Sequence, residues 1–200
     1  MMSSKINKYK NEIIRSIDVK TAILEDEKLL LQLERLAEDC ITSLMQGGKI
    51  ILAGNGGSFA DAQHLSAEFT SRFRFDRNSL ASIALGTNSS SLSAIGNDYG
   101  FEFIFSRELE SVGRSSDIFI SISTSGNSKN IINAIKTAAE LNIRSYCFTG
   151  SRKGIVTDLC ECICVPAAET ERIQECHILL GHLLCGHIED TIFNNTPKCD

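Results

Sequence analysis

The fold is decided by residues 50–69, which read IILAGNGGSFADAQHLSAEF. The apolar run at 50–53 predicts a short buried strand, and residues 60–69 predict a helix. The turn between them is Gly54-Asn55-Gly56-Gly57-Ser58. Glycines let the backbone turn sharply, and the first N–H groups of a helix have no partner inside it. A strand, a glycine-rich turn and a helix start are therefore typical of an anion-binding cradle.

Short apolar strands alternate with helical patterns along the rest of the chain. Further strands are predicted at residues 82–85, 118–122, 145–148 and 162–165. Helices are predicted at residues 57–73, through Leu92 and Ile95, and at 101–112, 129–141 and about 170–192. Such alternation implies parallel pairing with right-handed crossovers. The sequence therefore predicts an α/β fold, a doubly wound five-stranded parallel sheet flanked by helices.

Two helices are predicted before this alternation begins, at residues 5–18 and 26–46. They lie outside the α/β pattern, so we expect them to cover the sheet or a neighbouring subunit. The last helix is apolar on several sides, and such a helix is buried on several sides. At the end of a 200-residue chain this favours an oligomer core over a surface helix.

Composition excludes several classes of protein. The net charge of −5 argues against a nucleic-acid or anionic-membrane surface. The start of the chain has no apolar leader, and no run of 18 apolar residues occurs, so no membrane span is predicted. The eight cysteines include no C-x-x-C pair, which disfavours a cysteine zinc site. We interpret Cys40, Cys160, Cys162, Cys164, Cys176 and Cys185 as small buried hydrophobes in a reducing cytoplasm.

A second polar turn follows the third strand and reads Ser123-Thr124-Ser125-Gly126-Asn127-Ser128. Both polar turns lie at carboxyl ends of strands, where open α/β sheets bind ligands. Hydroxyls and the start of a helix together favour a phosphate monoester, although Ser128 alone would be an ordinary helix cap. The first turn is not a dinucleotide site, because Phe59 occupies the third glycine position and no acidic residue ends the second strand.

The histidines offer candidate metal ligands. His64 and Glu68 share a helix face at i and i+4, which fits half of a metal site but, taken alone, favours a surface hydrogen-bonded pair. His177 and His187 lie on an apolar helix, where a histidine is more often a satisfied core residue than a ligand. Composition does not select His182 over these two.

Motifs along most of the chain resemble those of the phosphoheptose isomerases, or sedoheptulose 7-phosphate isomerases, of the sugar-isomerase (SIS) fold superfamily. The motifs are GNGGS at 54–58, DAQH at 61–64, AIGNDYG at 94–100, SISTSGNS at 121–128, and RIQE at 172–175 with Gly181-His182. The resemblance implies a flavodoxin-like strand order and one SIS domain over 1–200, with a helical extension at 1–48 and an α/β core at 49–193.

The resemblance also implies a reaction. The substrate would be sedoheptulose 7-phosphate, a small sugar phosphate, and the product D-glycero-D-manno-heptose 7-phosphate. This is the first step toward the ADP-heptose or GDP-heptose precursors of lipopolysaccharide or capsule. The enzyme would be a cytoplasmic homotetramer with active sites between subunits and one zinc ion per subunit, and without nucleic-acid or membrane partners.

Site residues follow from the same resemblance. Glu68 and His182 would be the catalytic pair. Zinc would be held by His64, Glu68, Gln174 and His182. Substrate contacts would come from Asn55, Gly56, Gly57, Glu68, Asn97, Asp98, Ser123, Thr124, Ser125, Ser128 and Gln174. Phe59, Asn88 and Ser89 depart from the usual pattern near the pocket, which concerns substrate preference and not reaction class.

These residue types suit an isomerisation through an enediolate. A carboxylate can take the proton from one carbon, and an imidazole can return it or move the hydroxyl proton. Gln174 and His182 are separated by about 12 Å of helix rise, so both reach one ion only with long reach, a bend or a second subunit. We therefore expect the site at or near a subunit boundary.

Two other functions fit the same fold. Related proteins bind the bacterial replication initiator without isomerase activity, but they lack the carboxylate and imidazole that Glu68 and His182 supply here. A sugar-phosphate sensor without turnover is the third alternative. The intact pair and the intact serine turn favour the enzyme, because function is argued from the site and not from the fold.

Overall fold

Five parallel strands form one sheet at the centre of the computed structural model, which describes residues 2–193. The strands are β1 (Ile50–Gly54), β2 (Ser82–Ala84), β3 (Ile118–Ile122), β4 (Arg144–Thr149) and β5 (Glu161–Cys164). Their order is β2-β1-β3-β4-β5, with every neighbouring pair parallel. The predicted fold class and flavodoxin-like order are confirmed. The switch in strand order lies between β1 and β3, and both polar turns follow these two strands.

Seven α-helices accompany the sheet in the described part of the chain. They are α1 (Met2–Glu25), α2 (Glu27–Met45), α3 (Gly57–Thr70), α4 (Ser89–Asp98), α5 (Ile104–Val112), α6 (Lys129–Glu140) and α7 (Thr170–Phe193). Short 3-10 turns cover Phe101–Phe103 and Ile155–Asp158. None of the helices within 2–193 is both long and apolar enough to cross a membrane.

Three helix boundaries differ from the prediction. The first helix runs on to Glu25, and Asp26 then caps α2 by accepting a hydrogen bond from the Leu29 N–H at 3.0 Å. The helix predicted from residue 101 begins as a 3-10 turn after Gly100, whose φ is +106°. The third helix ends at Thr70, short of residue 73. Arg77 donates to the Phe69 carbonyl at 2.7 Å and so occupies an acceptor that a further helical turn would use.

The sheet carries helices on both faces. Alternate side chains of each strand point to opposite faces, so Ile50 and Leu52 pack with α2, α3 and α7. Ile51 and Ala53 pack with α5 and α6 on the other face. Every residue of β1 and β3 is buried, as expected for central strands of a parallel sheet. The two turns are thus held by the most rigid part of the fold.

The two N-terminal helices lie on the α7 side of the sheet. The inner face of α2 packs its buried leucines into the core. The outer side of α1 carries four exposed apolar side chains, those of Ile6, Tyr9, Ile13 and Ile17. In α7, most apolar residues are buried within the chain, while Leu183 stays 44% exposed.

Two of the histidines on α7 occupy opposite environments. His177 is fully buried, as predicted for a core histidine, and its Nε2 contacts the Thr149 carbonyl at 3.2 Å, but its Nδ1 has no hydrogen-bond partner among the described residues. Burial lowers the pKa of His177 to about 4, despite that carbonyl. His187 is exposed, so its prediction as a core residue is wrong. It lies one turn after Leu183 on the solvent-exposed side of α7.

The seven cysteines within the described residues are all free. Cys40, Cys147, Cys176 and Cys185 are buried, and Cys160 and Cys162 are half-buried. The prediction of a buried small hydrophobe is wrong for Cys164, which is exposed because β5 is an edge strand. Cys199 lies outside the described residues.

Candidate active site

The glycine-rich turn after β1 brings the backbone of α3 close to α7. Gly56 has a φ of +57°, a left-handed conformation that glycine adopts without strain. A Cβ on Gly57 would lie 2.7 Å from the Gln174 Nε2, so the side chain of Gln174 rests against the start of α3. Glycine at position 57 therefore makes room for the predicted ligand Gln174 beside this turn.

A reciprocal pair of amides locks the two polar turns together. The Asn55 Nδ2 donates to the Asn130 Oδ1 at 2.9 Å, and the Asn130 Nδ2 donates to the Asn55 Oδ1 at 2.8 Å. Asn130 is buried at the start of α6, where its Oδ1 also accepts from the Ile131 N–H. Sequence reasoning missed Asn130, although its place among the apolar residues of that helix was an available signal.

We expect Asn130→Ala to lower kcat/KM by roughly 10- to 100-fold, because the two turns lose their mutual alignment and misplaced groups lose rate steeply. Steady-state kinetics on the purified variant measures this change. Asn133→Ala is the matched control, since Asn133 lies on the same helix and donates only to the Glu102 carbonyl at the surface. Equal kinetics for the two variants would show that the amide pair does not position the site.

The serine turn after β3 carries several hydroxyls whose hydrogen bonds stay within the turn. Ser128 occupies the cap position of α6, but its side chain makes no capping hydrogen bond. Its Oγ instead lies 3.3 Å from the Ser123 Oγ. The structure therefore does not support the alternative in which the Ser128 side chain serves only as a helix cap. Gly126, with a φ of +65°, shapes the turn between them.

Three ionisable side chains converge between α3 and α7, namely His64 and Glu68 of α3 and His182 of α7. The His64 Nε2 lies 2.9 Å from the His182 Nε2 and 3.4 Å from the Glu68 Oε1. One ligand atom from each of these residues lies within 4.8 Å of the others, so the group could hold a metal ion. The i,i+4 pair of the sequence analysis is thus part of a cluster that spans two helices.

Close contact between α3 and α7 delivers His182 to this cluster. A Cβ on Gly181 would lie 2.6 Å from the Leu65 methyl carbons, so only glycine permits this helix separation without rearrangement. Phe73 stacks on the His182 ring, with centroids 5.5 Å apart and planes inclined by 24°. The helix contact therefore sets the backbone position of His182, and Phe73 restricts the orientation of its ring.

Burial and charge set the protonation of the groups around the cluster. Burial lowers the pKa of His182, the neighbouring His64 lowers it further, and Glu68 opposes both. Burial raises the pKa of Asp61. His64, one turn further along α3, lowers that pKa but does not cancel the effect of burial. The Asp61 Oδ2 is buried without a hydrogen-bond partner among the described residues, so Asp61 is a polar group of the site that sequence reasoning did not select.

Not every predicted site residue joins the cluster within one chain. Gln174 lies against Gly57, beside the glycine turn. Asn97 and Asp98 lie at the exposed end of α4, where the Asn97 Nδ2 donates to the Asp98 Oδ1 at 2.8 Å. They line an open surface groove with serines of α4 and make no hydrogen bond to the serine turn.

Comparison with known protein families identifies the class of protein to which this chain belongs. The family described as SIS domain matches residues 9–150. The five-stranded parallel sheet with polar turns after β1 and β3 agrees with that match, and the chain is a SIS-domain protein.

More similar relatives define the group within this class. The chain is 53% identical over 192 residues to the phosphoheptose isomerase of Aneurinibacillus thermoaerophilus, covering 95% of this chain and 97% of the relative. It is 48% identical over 184 residues to that of Burkholderia pseudomallei, covering 92% and 93%. The phosphoheptose isomerase structure from Neisseria gonorrhoeae superposes with a TM-score of 0.83 at 40% identity, covering 94% and 99% of the two chains. The chain belongs to the phosphoheptose isomerase family.

Proposed function

We propose that this protein is a ketose–aldose isomerase that converts sedoheptulose 7-phosphate into D-glycero-D-manno-heptose 7-phosphate. The observation that carries the proposal is the 48–53% identity to phosphoheptose isomerases over more than nine-tenths of the chain. The convergence of a carboxylate and two imidazoles, in a chain that also has a hydroxyl-lined turn after β3, supports the same reaction chemically.

The substrate phosphate binds at the serine turn in this proposal. Hydroxyls of Ser123, Thr124, Ser125 and Ser128 donate to its oxygens, and the start of α6 adds its dipole. Asn55, Gly56 and Gly57 contact the chain of the sugar on the neighbouring turn. Anchoring the remote phosphate positions the reacting carbons, which converts binding energy into rate.

The proton moves between two adjacent carbons of the sugar. Glu68 takes the proton from one carbon, and the resulting enediolate receives it back on the other. His182 moves the hydroxyl proton or returns the carbon-bound one. The separation of 3.4 Å between the Glu68 Oε1 and the His64 Nε2 supports a carboxylate held in one orientation for this task.

Zinc, one ion per subunit, is the metal we propose for the cluster. Nitrogen ligands bind zinc at about 2.0–2.1 Å, so those of a tetrahedral site lie roughly 3.4 Å apart. The separations of 2.9 and 3.4 Å around the His64 Nε2 are close to that value, and imidazole and carboxylate are suitable donors. His64, Glu68 and His182 would hold the ion, with Gln174 as the fourth ligand. When bound, it would stabilise negative charge on the substrate oxygens.

We expect the purified protein to contain about one zinc ion per chain, and His64→Gln to reduce this severely because one of three clustered ligands is lost. Metal content measured by mass spectrometry after dialysis tests this. His187→Gln is the control, because His187 is an exposed histidine outside the cluster. Full zinc content in His64→Gln would refute this ligand set.

A homotetramer is the proposed assembly. Apolar side chains such as Tyr9, at 69% exposure, and Ile13, at 60%, line the open side of α1 and support burial against another subunit. Asn97 and Asp98, which lie at the exposed end of α4, would then complete the site across a subunit boundary. Light scattering should give the mass of four chains, and full activity in a monomer would contradict a shared site.

One assay separates the enzyme from the two alternatives. Sedoheptulose 7-phosphate is added to the purified protein, and aldose formation is followed by NMR. Turnover supports the isomerase, whereas binding without turnover supports a sensor. Binding of the replication initiator without sugar-phosphate binding supports the initiator-binding alternative. The cytoplasm is the proposed compartment, because the described cysteines are free thiols.

A further inference from the structure

Two cationic side chains stand beside the serine turn. Arg152 and Lys153 lie in the loop after β4, and they share with Thr124, Ser125 and Asn127 the lining of a pocket of about 290 Å³. Neither cation was selected from the sequence, because the two residues lie about 25 positions after the turn and form no motif with it. The fold alone brings hydroxyls and positive charges to the same pocket.

Backbone hydrogen bonds fasten this loop to the serine turn on both sides of the two cations. Before them, the Gly150 N–H donates to the Thr124 carbonyl at 3.2 Å. After them, the Ile155 N–H donates to the Asn127 Oδ1 at 3.0 Å, and the Val156 N–H donates to the Gly126 carbonyl at 3.1 Å. Arg152 and Lys153 therefore span the turn on a segment whose two ends are fixed to it.

The contact between the loop and the turn is tight. A Cβ on Gly154 would lie 2.6 Å from the Gly126 Cα, so the two backbones approach as closely as glycine allows. A loop held in this way cannot withdraw from the turn without breaking several hydrogen bonds. The backbone positions of Arg152 and Lys153 relative to the serine turn are thus fixed by the fold, and their side chains are exposed.

Neither cation is neutralised by a neighbouring acid. Within residues 2–193, the ion pairs formed by arginine and lysine side chains include none from Arg152 or Lys153. Glu169, next in the chain to the pocket residues Ala168 and Thr170, pairs instead with Arg15 at 2.7 Å. Two unpaired positive charges beside several hydroxyls form a setting that attracts a dianion.

We propose that Arg152 and Lys153 are binding residues for the phosphate of the substrate and form the cationic wall of the serine-turn pocket. This inference rests on the proposed function and adds to it the charge that the hydroxyls lack. The guanidinium group offers paired N–H donors to phosphate oxygens, and the ammonium group adds a compact charge. Because both act on the remote phosphate, they contribute to binding more than to the proton transfer.

Kinetics of charge-removing variants test the proposal. We expect Arg152→Gln and Lys153→Gln each to raise KM for sedoheptulose 7-phosphate about fivefold, and the double variant about 20-fold or more, with kcat within about threefold of the unsubstituted protein. Lys136→Gln, an exposed lysine in the middle of α6, is the control and should leave KM unchanged. Arg152→Lys should recover most of the affinity lost in Arg152→Gln, since it restores the charge.

A direct binding measurement separates this proposal from the proposed function. Inorganic phosphate is titrated into each protein and its dissociation constant measured by calorimetry, without any turnover. Weaker phosphate binding in the double variant, together with a raised KM, supports the cationic wall. A double variant with phosphate affinity and KM within twofold of the unsubstituted protein overturns it. If the unsubstituted protein does not turn over the sugar, the proposed function fails, and the phosphate titration alone decides on the pocket.

Discussion

Glu68→Gln should lower kcat for sedoheptulose 7-phosphate by about 10³-fold or more, while the protein stays folded. A general base contributes typically 10²- to 10⁴-fold, and glutamine has nearly the same shape but cannot accept the proton. The loss should exceed that of a base alone, because the same carboxylate is a proposed metal ligand. Kinetics by NMR or a coupled assay measures the loss, and thermal unfolding verifies the fold.

The control for this variant is Glu140→Gln, which changes an exposed glutamate at the end of α6. Its kcat should stay within a factor of two of the unsubstituted protein. Metal content is measured for both variants, so that loss of the ion is distinguished from loss of the base. Turnover retained in Glu68→Gln would remove this residue from its catalytic role.

Glu189→Ala should lower the free energy of unfolding by about 3–5 kcal/mol, the usual cost of leaving a buried charge without its partner. Both side chains of the Arg77–Glu189 pair are almost fully buried, and the Arg77 Nε donates to the Glu189 Oε1 at 2.8 Å. The carboxylate also accepts from the Phe73 and Arg74 N–H groups. Burial pushes the pKa of Glu189 upward, but these donors hold it below its ordinary value.

The effect should extend from stability to activity. Glu189 fixes the segment that follows α3, including Phe73, whose ring stacks on His182. Arg77 also donates to the Glu68 carbonyl at 2.7 Å. Because the pKa of Glu189 is depressed, its contribution to stability is present above pH 4.5, its ordinary pKa, and is lost as the pH falls through its folded-state pKa.

Chemical denaturation at one fixed protein concentration measures this loss. Glu161→Ala is the matched control, because Glu161 pairs with Arg144 on the exposed edge of the sheet, where an ion pair contributes about 0–1 kcal/mol. The double variant Arg77→Met with Glu189→Leu should regain only part of the lost stability: no charge then stays buried alone, but the Phe73 and Arg74 N–H groups still lose their acceptor. A loss in Glu189→Ala no larger than in Glu161→Ala would refute the structural role of the pair.

Local patterns in the sequence determined the fold class and the two polar turns. The run from Ile50 to Phe69 predicts a strand, a turn and a helix, because the spacing of its apolar residues and the positions of its glycines can be read directly from the sequence. The five strands, the helices outside the alternation and the exclusion of a dinucleotide site follow from similarly local signals. The family motifs added the strand order and the site residues. They also selected His182, which composition alone did not distinguish from His177 and His187.

Only the tertiary structure decided which side chains meet. A period in the sequence reports how one element is buried, but it does not report which faces of two elements touch. Gly181 allows α7 to approach α3, and this contact brings His182 to His64. The Asn55–Asn130 pair and the cations Arg152 and Lys153 likewise depend on contacts between distant segments. Side-chain partners across the sheet are fixed by the packing of whole elements, and that packing is a collective property that no single stretch of sequence encodes.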